Sequence, residues 1–440
     1  MVLRFHKKRI WICVLFVFFL VQNAILDYTS GVIERIVGYS DEIVECLLIM
    51  LIILRIATHK VKILKYEYFL IIFFAVFVAM GLISNFVQPL QSLFLSLSDM
   101  LVCCRFVVFY FAARLLLFDY CDNEQLLLDF NKIAHFFAVL CFVLTIHDLF
   151  FAPWFETGDF RYFAYSTKLF FSQPSFLAVA CVICMIVNIA SYDITDDKVI
   201  RRRNTISIFM LSFVMIMTFR SKAIAAVVCI LFLYILLVRL NVQSKTVLFG
   251  GGTILALIIG WDQLSYYYAT NSETVLRARL HIDAIQLAGE NFPLGTGFAT
   301  FGSSIAAENF SPLYTNLGYQ DLHGGDSVGS NFLSDTFWPT VIAQTGFIGT
   351  IAFLAVIICF VYIAFTAKRK GSYMLWALLS LLVYEVISST SEPAFFNPSV
   401  VSMFMVFGIC INIVHNNEDE IAAYKIAERK RLCKNKEMSS

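Results

Sequence analysis

Charge is scarce in this chain. Of 440 residues only 33 are Lys or Arg and 32 are Asp or Glu. That is 15% of the chain, against roughly 25% in an ordinary soluble domain. No repeat with a period of 20–50 residues and no low-complexity segment occurs. The 12 cysteines fall in expected spans or, for Cys121 and Cys433, in cytoplasmic segments; none lies in an expected outer loop, so no disulfide framework is expected. In their place the chain has apolar bulk, with 59% hydrophobic residues and 45 Phe. No single soluble core hides that much apolar surface. A secreted soluble enzyme, a disordered regulator and a nucleic-acid binder are all excluded.

A spanning helix needs roughly 20 mostly apolar residues. About twelve such runs can be read, at 10–26, 43–58, 66–84, 100–118, 131–152, 172–190, 204–219, 223–240, 246–261, 338–365, 373–390 and 398–414. The weakest are 43–58, with Glu45 and Arg55, and 100–118, with Arg105. The expected fold is therefore all-α, a polytopic membrane protein of about 12 transmembrane helices with one long loop. Residues 1–261 hold the first nine spans, 262–337 the long loop, 338–414 the last three spans and 415–440 a basic tail. The first run follows His6-Lys-Lys-Arg9 and lacks a small-residue cleavage site, so it reads as a retained anchor.

Basic residues favour the cytoplasmic side. With the N-terminus placed there, 25 basic residues fall on cytoplasmic segments and only 7 on outer ones. Both termini are then expected in the cytoplasm. The outer seven are Arg35, Arg161, Lys168, Arg220, Lys222, Arg277 and Arg279.

Two outer loops are long enough to carry function, at 148–171 and 262–337. The second contains an amphipathic segment, 273–290, with Leu276, Leu280, Ala284 and Leu287 on one face. Ser272 is its expected N-cap and Pro293 its stop. A turn with Gly295 and Gly297 follows. Arg220 sits in the tight turn Thr218-Phe-Arg-Ser-Lys222. Arginine's planar fork binds phosphate oxygens two at a time and keeps its charge when half-buried. Arg161, Arg220, Arg277 and Arg279, gathered from distant segments on one side, suit a lipid-linked phosphate or pyrophosphate.

Each residue also has a plainer reading. Arg220 can be a snorkelling residue that ends a span, and Arg279 an i,i+4 partner of Asp283. A base could come from His323 or Asp335, yet His323 can be a solvated loop residue and Asp335 the N-cap of the next span. Glu385, inside a span, is a functional candidate whose partner the sequence does not reveal. Tyr266-Tyr-Tyr268 could stack on sugars or form an interfacial aromatic belt. Cys181 and Cys184, mid-span without a nearby His, read as packing residues. The outer loops show no His/Asp/Glu set with metal-ligand spacing.

Over residues 155–365 the chain resembles the superfamily of O-antigen polymerases (Wzy-type) and O-antigen ligases. The resemblance rests on Arg161 followed by Ser172-Gln-Pro-Ser-Phe-Leu-Ala178, and on the turn Phe219-Arg-Ser-Lys222. It continues with Arg279-Leu280 leading to Pro293-Leu-Gly-Thr-Gly-Phe298, and with Phe337-Trp-Pro-Thr-Val-Ile-Ala-Gln-Thr-Gly-Phe-Ile-Gly349. It implies a helical bundle like that of other polyprenyl-dependent glycosyltransferases. It also implies transfer of a glycan from undecaprenyl pyrophosphate to a second lipid-linked saccharide, at the periplasmic face of a bacterial inner membrane.

The roles it implies are Arg220 and Arg279 on the pyrophosphate, His323 or Asp335 as base, and Arg161, Arg277, Lys222, Gly295 and Gly297 in substrate binding. No cofactor and no metal are implied. Membrane lipid, a chain-length regulator and a flippase of the same pathway are the implied partners. Many relatives, especially ligases, carry His-Asn just before the Gln-Thr-Gly span. Here the residues are Asp335-Thr336, which favours polymerase over ligase. The alternatives are a ligase joining polymer to lipid A core, or a flippase for the same lipid-linked saccharide.

Overall fold

A computed structural model describes residues 2–151, 153–161, 164–241, 272–320 and 333–416. The expectations for 246–261, Tyr266–Tyr268, His323 and the basic tail beyond 416 lie outside these residues.

Helices dominate. In order they are α1 (Val2–Asp27), α2 (Gly31–Gly38), α3 (Ser40–Thr58), α4 (Lys65–Val87), α5 (Leu93–Leu116), α6 (Asn123–Phe150), α7 (Pro174–Ala190), α8 (Lys198–Met217) and α9 (Ser221–Tyr234). After the undescribed stretch come α10 (Ser272–Glu290), α11 (Ser304–Glu308), α12 (Pro312–Asn316), α13 (Trp338–Thr366), α14 (Ser372–Ser388) and α15 (Val400–Asn416). The described strands are two residues each, Phe160–Arg161 antiparallel to Ala164–Tyr165.

Among the described residues, seven helices are long and apolar enough to cross a membrane, built on α1, α4, α5, α6, α7, α9 and α13. The apolar α14 and α15 are shorter. The expected spans 43–58 and 204–219 fall on α3 and α8, which carry several charges each. The chain is thus a multi-pass membrane protein by length and composition.

Local chemistry sets the helix starts. Asp122 caps α6 by accepting from the N–H groups of Glu124 and Gln125 at 3.0 and 3.2 Å. Asp197 caps α8 through the Val199 N–H at 2.8 Å, and Pro174 opens α7, where its missing N–H costs nothing. The expected cap residue Ser272 is the first residue of α10 itself. α7 is the centre of the bundle, with every residue from Leu177 to Ala190 buried, Cys181 and Cys184 among them.

The two ends of the bundle differ. At one end Arg114 pairs with Glu67 at 3.0 Å, Lys370 with Glu124 at 2.7 Å and Arg9 with Asp129 at 3.6 Å. All of these residues lie in or beside segments expected on the cytoplasmic side. The opposite end gathers the described segments 159–161, 164–168, 218–222, 272–320, 333–337 and 389–397. The grouping follows the in–out alternation read from the sequence.

The long loop is a folded unit where described. Leu280, Ala284 and Leu287 of α10 pack with Phe301, Leu313, Tyr314 and Tyr319 in a small core of their own. Burying that face follows directly from the 3–4-residue apolar spacing.

Candidate functional site

The joint between this loop and the bundle is the most tightly specified part of the structure. Residues 294–301 run past α4, α5 and α13, and their backbone groups are bonded to all three. The Gly295 N–H donates to Ser84 Oγ (3.0 Å), the Thr296 N–H to the Ala343 carbonyl (2.8 Å) and the Gly297 N–H to the Gln344 carbonyl (2.9 Å). The Phe298 N–H donates to Asn85 Oδ1 (2.8 Å) and the Ala299 N–H to Asp99 Oδ2 (2.6 Å). Gln344 Nε2 bridges Asp99 Oδ2 (2.9 Å) and the Phe301 carbonyl (3.0 Å).

The carbonyls of Ala343 and Gln344 are free to accept because α13 is broken at Gly346, whose φ of 66° and ψ of −175° no side-chain-bearing residue adopts cheaply. Expectation and structure part here. The amides of Gly295 and Gly297 are already spent on Ser84 and Gln344, so this turn offers no donors to a phosphate. Its glycines serve close backbone approach instead.

Around the bundle end the cationic side chains meet. Arg220 occupies the N-cap position of α9, after a turn in which Phe219 takes a positive φ of 48°. Its Nη2 lies 3.5 Å from Asp159 Oδ2, and Arg161 Nη2 lies 3.6 Å from the same oxygen. Lys222, buried in the first turn of α9, pairs with Glu392. Arg277 of α10 pairs with Asp335.

These pairs form one electrostatic group. Burial, then the neighbouring Arg161 charge, lowers the proton affinity of Arg220, while Asp159, Glu392 and Asp335 hold it up. Burial raises the affinity of Asp335, against the opposing pull of Arg277 and Lys222. Four cations from three segments (Arg161; Arg220 and Lys222; Arg277) thus face three carboxylates (Asp159, Asp335, Glu392). Two guanidiniums share one carboxylate oxygen, which leaves donors in hand for an anion.

Arg279 does not join them. Two residues beyond Arg277 on the same helix, it points elsewhere. It donates to the Leu317 carbonyl, lies 3.4 Å from Asp283 and sits over the Tyr319 ring at 5.0 Å. Tyr319 in turn donates to Asp283 at 2.7 Å. The i,i+4 reading of Arg279 is the one the geometry supports, and its place in a pyrophosphate clamp is withdrawn. Asp335 is not an N-cap either: α13 starts after Phe337 with no side-chain cap.

Sequence reasoning missed Asp159 as the carboxylate between two arginines. It noted Glu385 without a partner. Glu392 has Lys222, and Glu385 is buried behind them with Oε2 unbonded.

No family model and no curated protein matches this sequence.

Proposed function

We propose that the protein is a membrane glycosyltransferase of the O-antigen polymerase kind, moving a glycan from a polyprenyl pyrophosphate to a hydroxyl of a second lipid-linked saccharide. The observation that carries this reading is the convergence of Arg161, Arg220, Lys222 and Arg277 at the loop-bearing end of the bundle.

The chemistry asks for little more. As the anomeric carbon–oxygen bond breaks, its electron pair passes to the pyrophosphate, whose added charge is stabilised by preset cations. The acceptor oxygen takes that carbon and gives up its proton to a nearby carboxylate. Asp335 and Glu392 are the carboxylates in place, each held in position by a cation. The loop unit, pinned to three helices, holds Arg277 still while two long substrates align.

The reading has a cellular test. Loss of the protein is expected to leave lipid A core carrying a single repeat unit. Core bearing no repeats, with polymer retained on the carrier lipid, would mean a ligase. Single units trapped on the cytoplasmic leaflet would mean a flippase. Normal long chains in the deletion strain would remove the assignment altogether.

Topology gives a second check. A reporter fused near Asn316 is expected outside the cytoplasm and one within 191–203 inside. A cytoplasmic signal near Asn316 would put every cation of the cluster on the wrong side of the membrane.

A further inference from the structure

We infer that Glu45 carries a proton in the folded protein, making the junction of α3 with α5 a proton-binding site separate from the cationic cluster. The inference does not depend on the glycosyltransferase reading. Asp41 and Glu42, at the start of α3, precede Glu45 by four and three residues, so each neighbours it on the helix surface. Asp41 and Glu45 are each 0% exposed.

One cation serves all three. Arg105 of α5, itself 2% exposed, places Nη2 at 2.7 Å from both Asp41 Oδ2 and Glu42 Oε1. Its Nη1 donates to the Phe396 carbonyl at 2.8 Å. Gln22 of α1 donates to the other oxygen of Asp41 at 3.3 Å. Glu45 receives nothing: both of its carboxylate oxygens are buried and have no hydrogen-bond partner.

Three carboxylates against one guanidinium leave an excess of negative charge out of water. An unpaired buried charge is costly enough that the group neutralises instead. The carboxylates do not converge as metal ligands, so the counter-charge that this geometry admits is a proton. The one carboxylate with no bond to lose is Glu45. Asp41 and Glu42 each have an oxygen 2.7 Å from Arg105 Nη2. The titratable groups facing Glu45 are Asp41 and Glu42 from its own helix, and Arg105, Cys103 and Cys104 from α5. From α1 comes only the uncharged Gln22.

The site has a mechanical connection. Arg105 holds the turn at Ala394–Phe396, which begins two residues after Glu392. Ionising Glu45 would set a third carboxylate in competition with the Phe396 carbonyl for that guanidinium.

The test uses the full chain purified in detergent, as wild type and as Glu45→Gln. The infrared difference spectrum at neutral pH is expected to show a carboxylic-acid carbonyl band in the wild type that the variant lacks. A carboxyl protonated when folded and ionised when unfolded makes stability fall as pH rises above the ordinary glutamate range. From about pH 5 to about pH 8 the unfolding midpoint of the wild type should therefore fall more steeply than that of the variant. By the upper end the Gln protein should be at least as stable as the wild type.

No difference band, or parallel pH curves with the Gln protein less stable throughout, would show an ionised, paired glutamate and overturn the inference. Glu45→Met is the second variant, neutral and of similar length. Failure of both neutral replacements to accumulate would overturn it too, because a neutral carboxyl must be replaceable by a neutral side chain.

Discussion

Gly346→Ala should leave little folded protein in the membrane. A Cβ on Gly346 would sit 2.4 Å from the Leu294 carbonyl oxygen, at a φ of +66°. Gly295→Ala meets the same joint from the other side, 2.4 Å from the Gln344 oxygen and 2.5 Å from that of Ala343. In both cases the obstacle is backbone, which cannot swing aside. Strain of about 1–3 kcal/mol and overpacking of a similar size add to roughly 2–6 kcal/mol, a large part of a typical total of about 5–15. Gly289→Ala is the control. It lies within α10 with nothing within 4 Å of its Cβ position, so it should be neutral or slightly stabilising. The readout is the monodisperse fraction after detergent extraction at matched synthesis. Wild-type amounts of Gly346→Ala would mean that the break in α13 is not what seats the loop.

Replacing Arg220 should cost activity without costing protein. Its guanidinium reaches Asp159 from the surface of the bundle end, with a side chain about one-fifth exposed. Removing it opens no cavity in the core. Losing one or two charge-assisted hydrogen bonds to pyrophosphate, at about 1.5–3 kcal/mol each, corresponds to a loss of tenfold to more than a hundredfold. Arg277→Ala should behave alike, with the added effect of freeing Asp335. Arg220→Lys keeps the charge and loses the fork, so it too should be impaired.

Arg279→Ala is expected to act differently. By undoing the contacts to Leu317, Asp283 and Tyr319 it should lower the stability of the loop unit. Arg35→Ala, exposed on α2 and remote from the matched segments, should be silent. The measurement is the chain-length distribution of polymer for each variant at matched protein level. Normal lengths in Arg220→Ala and Arg277→Ala would remove the site assignment.

Much of this was legible in the sequence because membrane physics writes in long runs. Spans such as 131–152 and 172–190 need no tertiary information. That Arg161, Arg220 and Arg277 share one end of the bundle was already expected from counting lysines and arginines. The apolar face of α10 was legible for the same reason, through Leu280, Ala284 and Leu287 at helical spacing.

What stayed hidden depends on contacts across hundreds of residues. Asp99 and Asn85 receive the 294–301 segment from about 200 positions away, and no local pattern announces that. The resemblance put Gly295 and Gly297 in substrate binding, but small residues allow close approach to any backbone, a neighbouring helix included. Sequence reasoning put Arg279 on the pyrophosphate and Arg277 in a supporting part. Two positions along a helix is about 200° around it, so one turns to Asp335 and the other to Tyr319.

The measurement that bears most directly on the central claim is transfer by the purified protein. The wild type, reconstituted with a polyprenyl-pyrophosphate-linked repeat unit and no other protein, should yield products of two or more repeats together with released polyprenyl pyrophosphate. Arg220→Ala at the same protein level should yield at least tenfold less of both. Products confined to a single repeat from wild-type protein that binds the substrate, or equal yields from the two proteins, would contradict the account.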